Sequence, residues 1–246
     1  MVINIFCDAS IDTTVNVACG GCFIVLQYDD GTITPLHYQL CLQTEATNNS
    51  SEILAIYTGI NEAIKLRNIY PNAIFRLFSD SKISLYGLRD WIKNWIANST
   101  FRGTNTLISS SGQPVANQQY FIKIFNVIVD YNLCIEFYHQ RGHVGESGGV
   151  SKEKARAQFI KANKVSPELM GIDIHFLCKY NHIIDNLTRA AVRAYVDNGT
   201  ILQNTTVEGF CPIICNIQSK KLPVYISCIN KTSVPSRHDF KGGYNQ

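Results

Sequence analysis

An α/β fold with a mixed, five-stranded sheet flanked by helices is predicted by three observations in this sequence. Strand patterns at 19–28 and 33–42 are separated by the hairpin sequence Asp-Asp-Gly-Thr, and with a strand at 2–8 they predict an antiparallel meander. Beyond residue 50, helical and strand patterns alternate, which is typical of βα units. Apolar residues of the helical segments recur at i, i+3 and i+4, so each helix has one face to bury against the sheet.

The first helix is predicted for residues 50–67, directly after the polar sequence Thr47-Asn48-Asn49. Asn and Ser are favoured N-cap residues, and the acidic Glu52 in the first turn suits the positive end of the helix dipole. Capping alone explains these residues. An amide-rich loop beside a carboxylate also suits contacts with phosphates, sugars or a metal ion.

The remaining elements follow in the order strand, helices, strand, helix, which completes the pattern β-β-β-α-β-α-β-α. A long polar loop rich in Ser, Thr, Gly and Asn lies between two of the helices. The predicted bounds are a strand at 73–79, helices from 81 and at 89–97, the loop at 98–116, a helix at 117–131, a strand at 133–139 and a helix at 181–196.

The composition describes an ordinary globular protein of 246 residues, with 46% hydrophobic and 17% charged residues and a net charge of +3. This charge is too small to indicate nucleic-acid binding by itself. No apolar run approaches the roughly 18 residues of a membrane span, and a strand pattern follows Met1 directly, so we expect a cytoplasmic, independent protein. The nine cysteines lack zinc-site spacing and are expected to be reduced and mostly buried.

Four acidic residues lie where a functional site is expected. Asp8 and Asp80 come at the ends of predicted strands, Glu52 at a helix start, and Asp185 in the first turns of the last helix. Carboxylates that point at one spot repel each other unless a divalent cation neutralises them, and oxygen ligands suit Mg²⁺ or Mn²⁺. Such a cluster is typical of two-metal phosphodiester cleavage.

The sequence resembles the type 1 ribonuclease H family in seven short motifs, which occur in the family's order over residues 1–196. Each motif alone is weak, but the ordered series is specific. The motifs are Phe6-Cys7-Asp8-Ala9-Ser10, Thr47-Asn48-Asn49-x-x-Glu52, Ser79-Asp80-Ser81, Trp91-Ile92-Lys93-Asn94-Trp95, Gln113-Pro114-Val115-x-Asn117, His139-x-Arg141-Gly142-His143-Val144-Gly145 and Asn181-x-x-x-Asp185-x-Leu187-x-Arg189-Ala190.

The resemblance implies an endoribonuclease that cleaves the RNA strand of RNA–DNA hybrids and leaves 5′-phosphate and 3′-hydroxyl ends. It implies that the four acids are catalytic ligands of two Mg²⁺ ions, for which Mn²⁺ can substitute, and that His143 assists proton transfer or product release. Core packing remains an open alternative for the two tryptophans. The implied substrate-binding residues are Ser10, Thr47, Asn48, Asn49, Ser81, Trp91, Trp95, Asn117 and Arg141.

Two departures from the family pattern affect how the protein is expected to bind its substrate. The segment 96–116, a lysine-rich protrusion in well-known members, contains one basic residue here, Arg102. An insert at about 146–178 carries a predicted capped helix with five basic residues against one acid between 151 and 164. We hypothesise that the insert supplies a phosphate-binding surface, and the alternative is a solvated helix that covers a core edge. The basic residues are Lys152, Lys154, Arg156, Lys161 and Lys164.

The predicted domain spans 1–199, and residues 200–246 form an extension with a possible hairpin at 210–217 and 223–229 and a basic tail. We expect a monomer. Other open functions are a DNA nuclease on the same fold, a non-catalytic module that binds hybrid or RNA, and a domain of a larger polyprotein such as a reverse transcriptase. The presence of all four acids favours catalysis over a binding module, and Met1 favours an independent protein.

Overall fold

The computed structural model describes residues 1–144 and 149–208. Its strands are β1 Val2–Asp12, β2 Val17–Gln27, β3 Ile33–Gln43, β4 Ile74–Ser79, β5 Ile135–His139 and β6 Thr205–Glu208. They form one sheet in the order β5-β4-β1-β2-β3-β6. The meander β1-β2-β3 is antiparallel, whereas β4, β5 and β6 each pair with a parallel neighbour. The predicted mixed α/β sheet is confirmed.

The sixth strand corrects the predicted number of five. It lies at the start of the predicted extension and pairs in parallel with β3 from Leu40 onward. The pairing begins where the amide of Leu40 donates to the carbonyl of Asn204 at 2.8 Å. A strand of four residues is too short for alternation to stand out in a sequence, so only its partner strand reveals it. The predicted hairpin and basic tail lie outside the described residues.

The helices are α1 Asn48–Ile69, α2 Lys82–Tyr86, α3 Ile92–Phe101, α4 Gln118–Asp130, α5 Lys152–Asn163 and α6 Ile174–Asn198. A π-helical turn, Gly87–Trp91, joins α2 to α3. The largest difference from the prediction is in α6, which begins seven residues earlier than expected. Its start is set by Asp173, whose carboxylate accepts a hydrogen bond from the amide of Phe176 at 2.7 Å.

The sheet has a hydrophobic core on each face. Helices α1, α3 and α4 pack on one face, and α5 and α6 pack on the other. On the second face, Phe6 and Phe78 stack with their ring centroids 4.9 Å apart. The insert predicted at about 146–178 supplies much of this second core, through the buried side chains of Phe159, Met170, Ile172 and Phe176.

Close approach of α1 to the sheet depends on glycine. A Cβ at Gly20 would lie 2.6 Å from the backbone nitrogen of Ala55, and a Cβ at Gly59 would lie 2.6 Å from the sulfur of Cys7. Both distances are too short for a side chain, so α1 lies directly against β1 and β2. This packing brings the start of α1 to the edge of the sheet where the acidic residues lie.

The insert also covers the outer edge of the sheet at β5. The side chain of Asn163 accepts from the backbone amide of His139 at 2.9 Å and donates to its carbonyl at 2.7 Å. These two bonds occupy backbone groups that an edge strand otherwise exposes. Farther along, the carbonyl of Met170 accepts from Arg76 at 2.9 Å and from Gln27 at 3.3 Å, which fastens the insert to the sheet.

The cysteines in the described residues are free thiols, and Cys7, Cys19, Cys22 and Cys41 are buried, as expected. Cys19 and Cys22 both lie within β2, with Gly20 and Gly21 between them. Among the described residues, no helix has the length and apolar character that crossing a membrane requires.

Candidate active site

Three carboxylates from separate elements meet at one edge of the sheet. Asp8, Glu52 and Asp80 each offer an oxygen atom, and these atoms lie within 4.8 Å of one another. Strands β1 and β4 pair in parallel as far as Cys7 and Ser79, so Asp8 and Asp80 are the next residues on two neighbouring strands. The sequence therefore brings these two acids together as predicted.

The local context of both Asp8 and Glu52 differs from the prediction. Strand β1 continues to Asp12, so Asp8 lies within the strand, at the point where β4 stops pairing with it. Helix α1 has Thr47 as its N-cap and no acid in its first turn, so Glu52 lies one turn inside the helix. Thr47 and Ser50 exchange the reciprocal hydrogen bonds of a capping box.

Asp185, the fourth predicted ligand, approaches this group from α6. It lies in the middle of the helix and not in its first turns, because α6 begins at Ile174. Asp185 is buried, and its charge raises the pKa of both Asp8 and Asp80. Its Oδ2 accepts a hydrogen bond from Arg189 at 2.6 Å, and its oxygens are not among those that lie within 4.8 Å of one another.

Burial and mutual repulsion disfavour the ionised form of these carboxylates when no cation neutralises them. Burial, followed by the charge of Asp80, raises the pKa of Glu52 to about 8. Burial, Asp80 and Glu52 raise the pKa of Asp8 well above its ordinary range. The Oε2 atom of Glu52 is buried and has no hydrogen-bond partner among the described residues. An all-oxygen donor set with an unpartnered buried oxygen fits a hard divalent cation such as Mg²⁺ or Mn²⁺.

The loop after β5 lies directly against Asp80. A Cβ at Gly142 would lie 2.0 Å from Oδ2 of Asp80, so only glycine fits at this position. His143 follows with φ of 52° and is exposed. Burial raises the pKa of Asp80, and His143 and Arg141 oppose this shift. The loop therefore brings a histidine to the site, as predicted, while Gly145 lies outside the described residues.

His139, the last residue of β5, also contacts Asp80, a role that its sequence motif did not indicate. Its side chain is buried, and Nε2 lies 3.2 Å from the backbone carbonyl of Asp80. Burial, with the nearby charge of Lys82, lowers the pKa of His139 to about 4, so the ring is neutral at pH 7. A neutral ring that faces a carbonyl oxygen carries its proton on Nε2 and donates it. In the sequence, both His139 and Asp80 lie at the end of a strand pattern. This shared position is the signal that could have indicated the contact.

A second link that sequence reasoning missed connects β5 to α6. The side-chain amide of Gln140 donates to Oδ1 of Asn181, which lies one turn before Asp185. The backbone amide of Gln140 also donates to the carbonyl of Ser79 at 3.0 Å. These bonds fix the position of α6 relative to the ends of β4 and β5.

The two tryptophans differ in exposure, which bears on whether each packs in the core or contacts substrate. The side chain of Trp95 is 9% exposed and packs edge-on against Phe121, with centroids 5.1 Å apart, so it belongs to the core. Trp91 is 38% exposed and contacts Tyr86 and Trp95. Of the two tryptophans, Trp91 is the one with a substantially exposed side chain.

The other predicted substrate-binding residues lie at the ends or edges of elements. Thr47, Asn48 and Asn49 are exposed at the start of α1. Ser81 is the N-cap residue of α2, and Asn117 is the N-cap residue of α4 with φ of 55°. Ser10 is half-buried in β1, and Arg141 is exposed beside Asp80.

The five basic residues of the insert are all exposed, but they do not form one uniform surface. Arg156 makes two hydrogen bonds to Glu168, at 2.8 and 3.0 Å. Lys154 and Lys161 lie on the helix face opposite the buried Ala155 and Phe159, and Lys164 is the C-cap. The ammonium group of Lys152 lies 3.0 Å from Nδ1 of His175 in α6.

The known proteins that this chain resembles in sequence include several ribonucleases H. The ribonuclease H of Rickettsia massiliae is 27% identical over 143 residues, which cover 58% of this chain and 82% of the relative. The ribonuclease H of Thermosynechococcus vestitus is 28% identical over 162 residues, which cover 63% of this chain and 90% of the relative. Among solved structures, LC11-RNase H1 from compost, in complex with an RNA/DNA hybrid, has a TM-score of 0.40 and 15% identity, and the match covers 68% of this chain and 94% of that chain.

The sequence profile of the RNase H family matches residues 1–160. The match includes Asp8, Glu52 and Asp80 and ends before Asp185, whose place beside them comes from the packing of α6. Because the matched region covers most of the 246 residues and contains the three clustered carboxylates, this chain belongs to the RNase H family.

Proposed function

We propose that this protein is an endoribonuclease that hydrolyses the RNA strand of RNA–DNA hybrids, acts as a monomer, and leaves 5′-phosphate and 3′-hydroxyl ends. The observation that carries the proposal is the cluster of Asp8, Glu52 and Asp80 in a chain of the RNase H family. A non-catalytic binding module has no need of three closely spaced acids that destabilise each other at neutral pH.

Asp8, Glu52, Asp80 and Asp185 would hold two Mg²⁺ ions, with Mn²⁺ as a substitute. When bound, two such ions lower the pKa of an attacking water and stabilise the leaving oxygen. The protein's own contribution is to keep the four carboxylates in place before the substrate arrives. His139 holds the backbone of Asp80, and Arg189 holds the carboxylate of Asp185.

His143 is proposed to carry a proton during the reaction or to assist product release. It is exposed, it follows a glycine that touches Asp80, and its charge lowers the pKa of Asp80. An imidazole has an ordinary pKa near working pH, so it can accept and return a proton there. The buried and neutral His139 is the wrong histidine for this role, since its ring is already committed to the Asp80 carbonyl.

The exposed residues around the cluster are proposed to hold the hybrid. Thr47, Asn48 and Asn49 at the start of α1 lie beside Glu52 and would contact the 2′-hydroxyl groups that distinguish RNA from DNA. The exposed ring of Trp91 would pack against the DNA strand. Ser10, Ser81, Asn117 and Arg141 complete the proposed substrate-binding set.

The exposed basic residues of the insert are proposed to bind phosphates, in place of the lysine-rich protrusion that segment 96–116 lacks. Lys154 and Lys161 are the strongest candidates, because they project away from the packed face of α5. Reversal of all five basic residues to Glu should weaken hybrid binding and flatten its salt dependence. Unchanged binding would remove the insert from the phosphate-binding surface.

The experiment that tests the activity is cleavage of a labelled RNA–DNA hybrid in Mg²⁺ and in Mn²⁺. Wild type is compared with Asp80→Asn, and single- and double-stranded RNA and DNA serve as control substrates. We expect cleavage of the hybrid only, with a loss of at least about a hundredfold in the variant, because a neutral amide holds a divalent cation poorly. Binding without cleavage would identify a binding module, and cleavage of a DNA control would identify another nuclease.

A further inference from the structure

One face of α6 carries a continuous row of basic and polar side chains. The residues alternate at spacings of four and three, which places them on one side of a helix. All are exposed except Arg189, which is half-exposed. The row consists of His175, Lys179, His182, Asn186, Arg189 and Arg193.

This row passes beside the candidate active site. Arg189 donates to the carboxylate of Asp185 at 2.6 Å, and Asn186 directly follows Asp185 in the helix. In one direction the row continues to Lys179 and His175. In the other direction it continues to Arg193. The row therefore extends along the surface on both sides of one of the four proposed metal ligands.

At its first end, the row meets the insert. Lys152 of α5 lies 3.0 Å from His175, and the two residues border a shallow surface depression of about 410 Å³ together with Phe176, Cys178 and Lys179. Three cationic or imidazole side chains thus surround one depression. Two elements distant in sequence contribute to the same basic surface.

At the end of the row near α5, the carboxylate of Glu153 lies close to Lys152 and His175. Beyond that end, the charge along the row is largely uncompensated. Within the described residues, no carboxylate forms an ion pair with Lys179 or Arg193, whereas Arg189 is paired with Asp185. Lys179 lies over the ring of Tyr180, 5.2 Å from its centroid. Asp197, one turn beyond Arg193, is the acid that ends the row.

We propose that Lys152 and this row of α6, together called the α6 track, bind the phosphates of the nucleic acid that flank the cleaved bond. The proposal rests on the proposed function and assigns a further part of the substrate surface. From His175 to Arg193 the helix advances about 27 Å, at 1.5 Å per residue. This length corresponds to roughly eight nucleotides at about 3.4 Å each, so the track suits a strand longer than the cleaved site.

The test compares two variants that remove the same charge. Lys179→Gln with Arg193→Gln removes two charges from the α6 track. Lys65→Gln with Arg67→Gln removes two charges near the end of α1 farthest from Glu52, where Lys65 is ion-paired with Glu62. Binding to an RNA–DNA hybrid of about 18 base pairs is measured in EDTA over a range of salt concentrations. We expect the track variant to bind more than about tenfold more weakly at low salt, with a salt slope shallower by about 2, and the control to match wild type.

Equal binding by the track variant and wild type would overturn the proposal, and so would an equal loss in the two double variants, which would reflect net charge alone. The single variants Lys179→Gln and Arg193→Gln should each reduce the slope by about 1, which guards against a folding defect in the double variant. Cleavage provides a separate outcome. If wild type binds but does not cleave the hybrid, the proposed function fails, while the comparison of binding still decides the α6 track.

Discussion

The two faces of the sheet contribute to the candidate site in different ways. On the first face, α1 lies against the strands through the glycine contact between Gly20 and Ala55, and it delivers Glu52 directly to the carboxylate cluster. On the second face, α6 delivers Asp185, and the insert supports this face with Asn163, Phe159 and Met170. The first face lies within the region that matches the family, whereas α6 lies beyond it.

The difference shows that a carboxylate can be placed by a short motif or by a large packed surface. Glu52 follows its capping residue by five positions, so its place depends on local geometry and on one close helix–strand contact. Asp185 lies deep in a helix of 25 residues, so its place depends on how the whole helix packs on β1 and β2. We therefore expect the first face to be sensitive to single backbone contacts and the second to be more tolerant.

The largest effect is expected from Gly20→Ala on the first face. The added methyl group would meet the backbone of Ala55 at 2.6 Å and of Ser51 at 2.9 Å, and backbone atoms cannot move aside as a flexible side chain can. We expect a loss of about 3 kcal/mol in the free energy of unfolding, together with a large loss of hybrid cleavage. Urea denaturation and cleavage assays measure the two effects.

A matched control is Gly199→Ala, since a Cβ at this C-cap position meets nothing within 4 Å. Because its φ is 65°, we expect a loss of about 1 kcal/mol in the free energy of unfolding, with cleavage retained. If Gly20→Ala is no more harmful than Gly199→Ala, the close contact of α1 does not control the first face.

An intermediate effect is expected for Glu52→Gln, and its size depends on pH. The pKa of Glu52 is raised from 4.5 to about 8, so the metal-free folded protein retains a proton that the unfolded chain releases. The stability that this group contributes is present below about pH 4.5 and is lost as the pH rises through 8. The variant cannot ionise, so in EDTA at pH 8.5 we expect it to be about 2.5 kcal/mol more stable than wild type.

Urea denaturation at pH 4 and at pH 8.5 measures this effect, and the two proteins should be equally stable at pH 4. Addition of Mg²⁺ at pH 8.5 should stabilise wild type more than the variant, because the cation binds the ionised carboxylate. A variant that is less stable than wild type at pH 8.5 in EDTA would contradict the charge repulsion inferred for the cluster.

The smallest effect is expected for Asn163→Ala on the second face. This change leaves the backbone amide and carbonyl of His139 without the side-chain partner that now bonds both. We expect a loss of about 2 kcal/mol in the free energy of unfolding, with cleavage reduced only a few fold, because the core around Phe159 still holds the insert in place.

Asn126→Ala is the control for this change, since the Oδ1 atom of Asn126 is buried without a hydrogen-bond partner among the described residues. It should cost much less than Asn163→Ala. If cleavage by Asn163→Ala falls as far as that of Gly20→Ala, the two faces are equally demanding and the comparison between them fails.

Much of the fold was predictable because its signals are local. The Asp-Asp-Gly-Thr hairpin, the helical periodicity after Thr47 and the capped helix after Ser151 all depend on neighbouring residues, and each element lies close to its predicted bounds. The early start of α6 and the short strand β6 were missed. The start of α6 does have a local signal, the N-cap residue Asp173. Strand β6 has none, because it exists only through pairing with β3.

By itself, the sequence placed Asp8 and Asp80 at the ends of two strand patterns and so predicted that they lie at one edge of the sheet. The parallel pairing of β1 with β4 in the tertiary structure brings them together. It also determined Glu52 and the loop histidine as candidate site residues. Only the tertiary structure showed that His139 faces the carbonyl of Asp80 and that Lys152 joins the basic row on α6. These contacts join residues 59 and 23 positions apart, and such pairs are decided by the packing of whole elements and not by local sequence pattern.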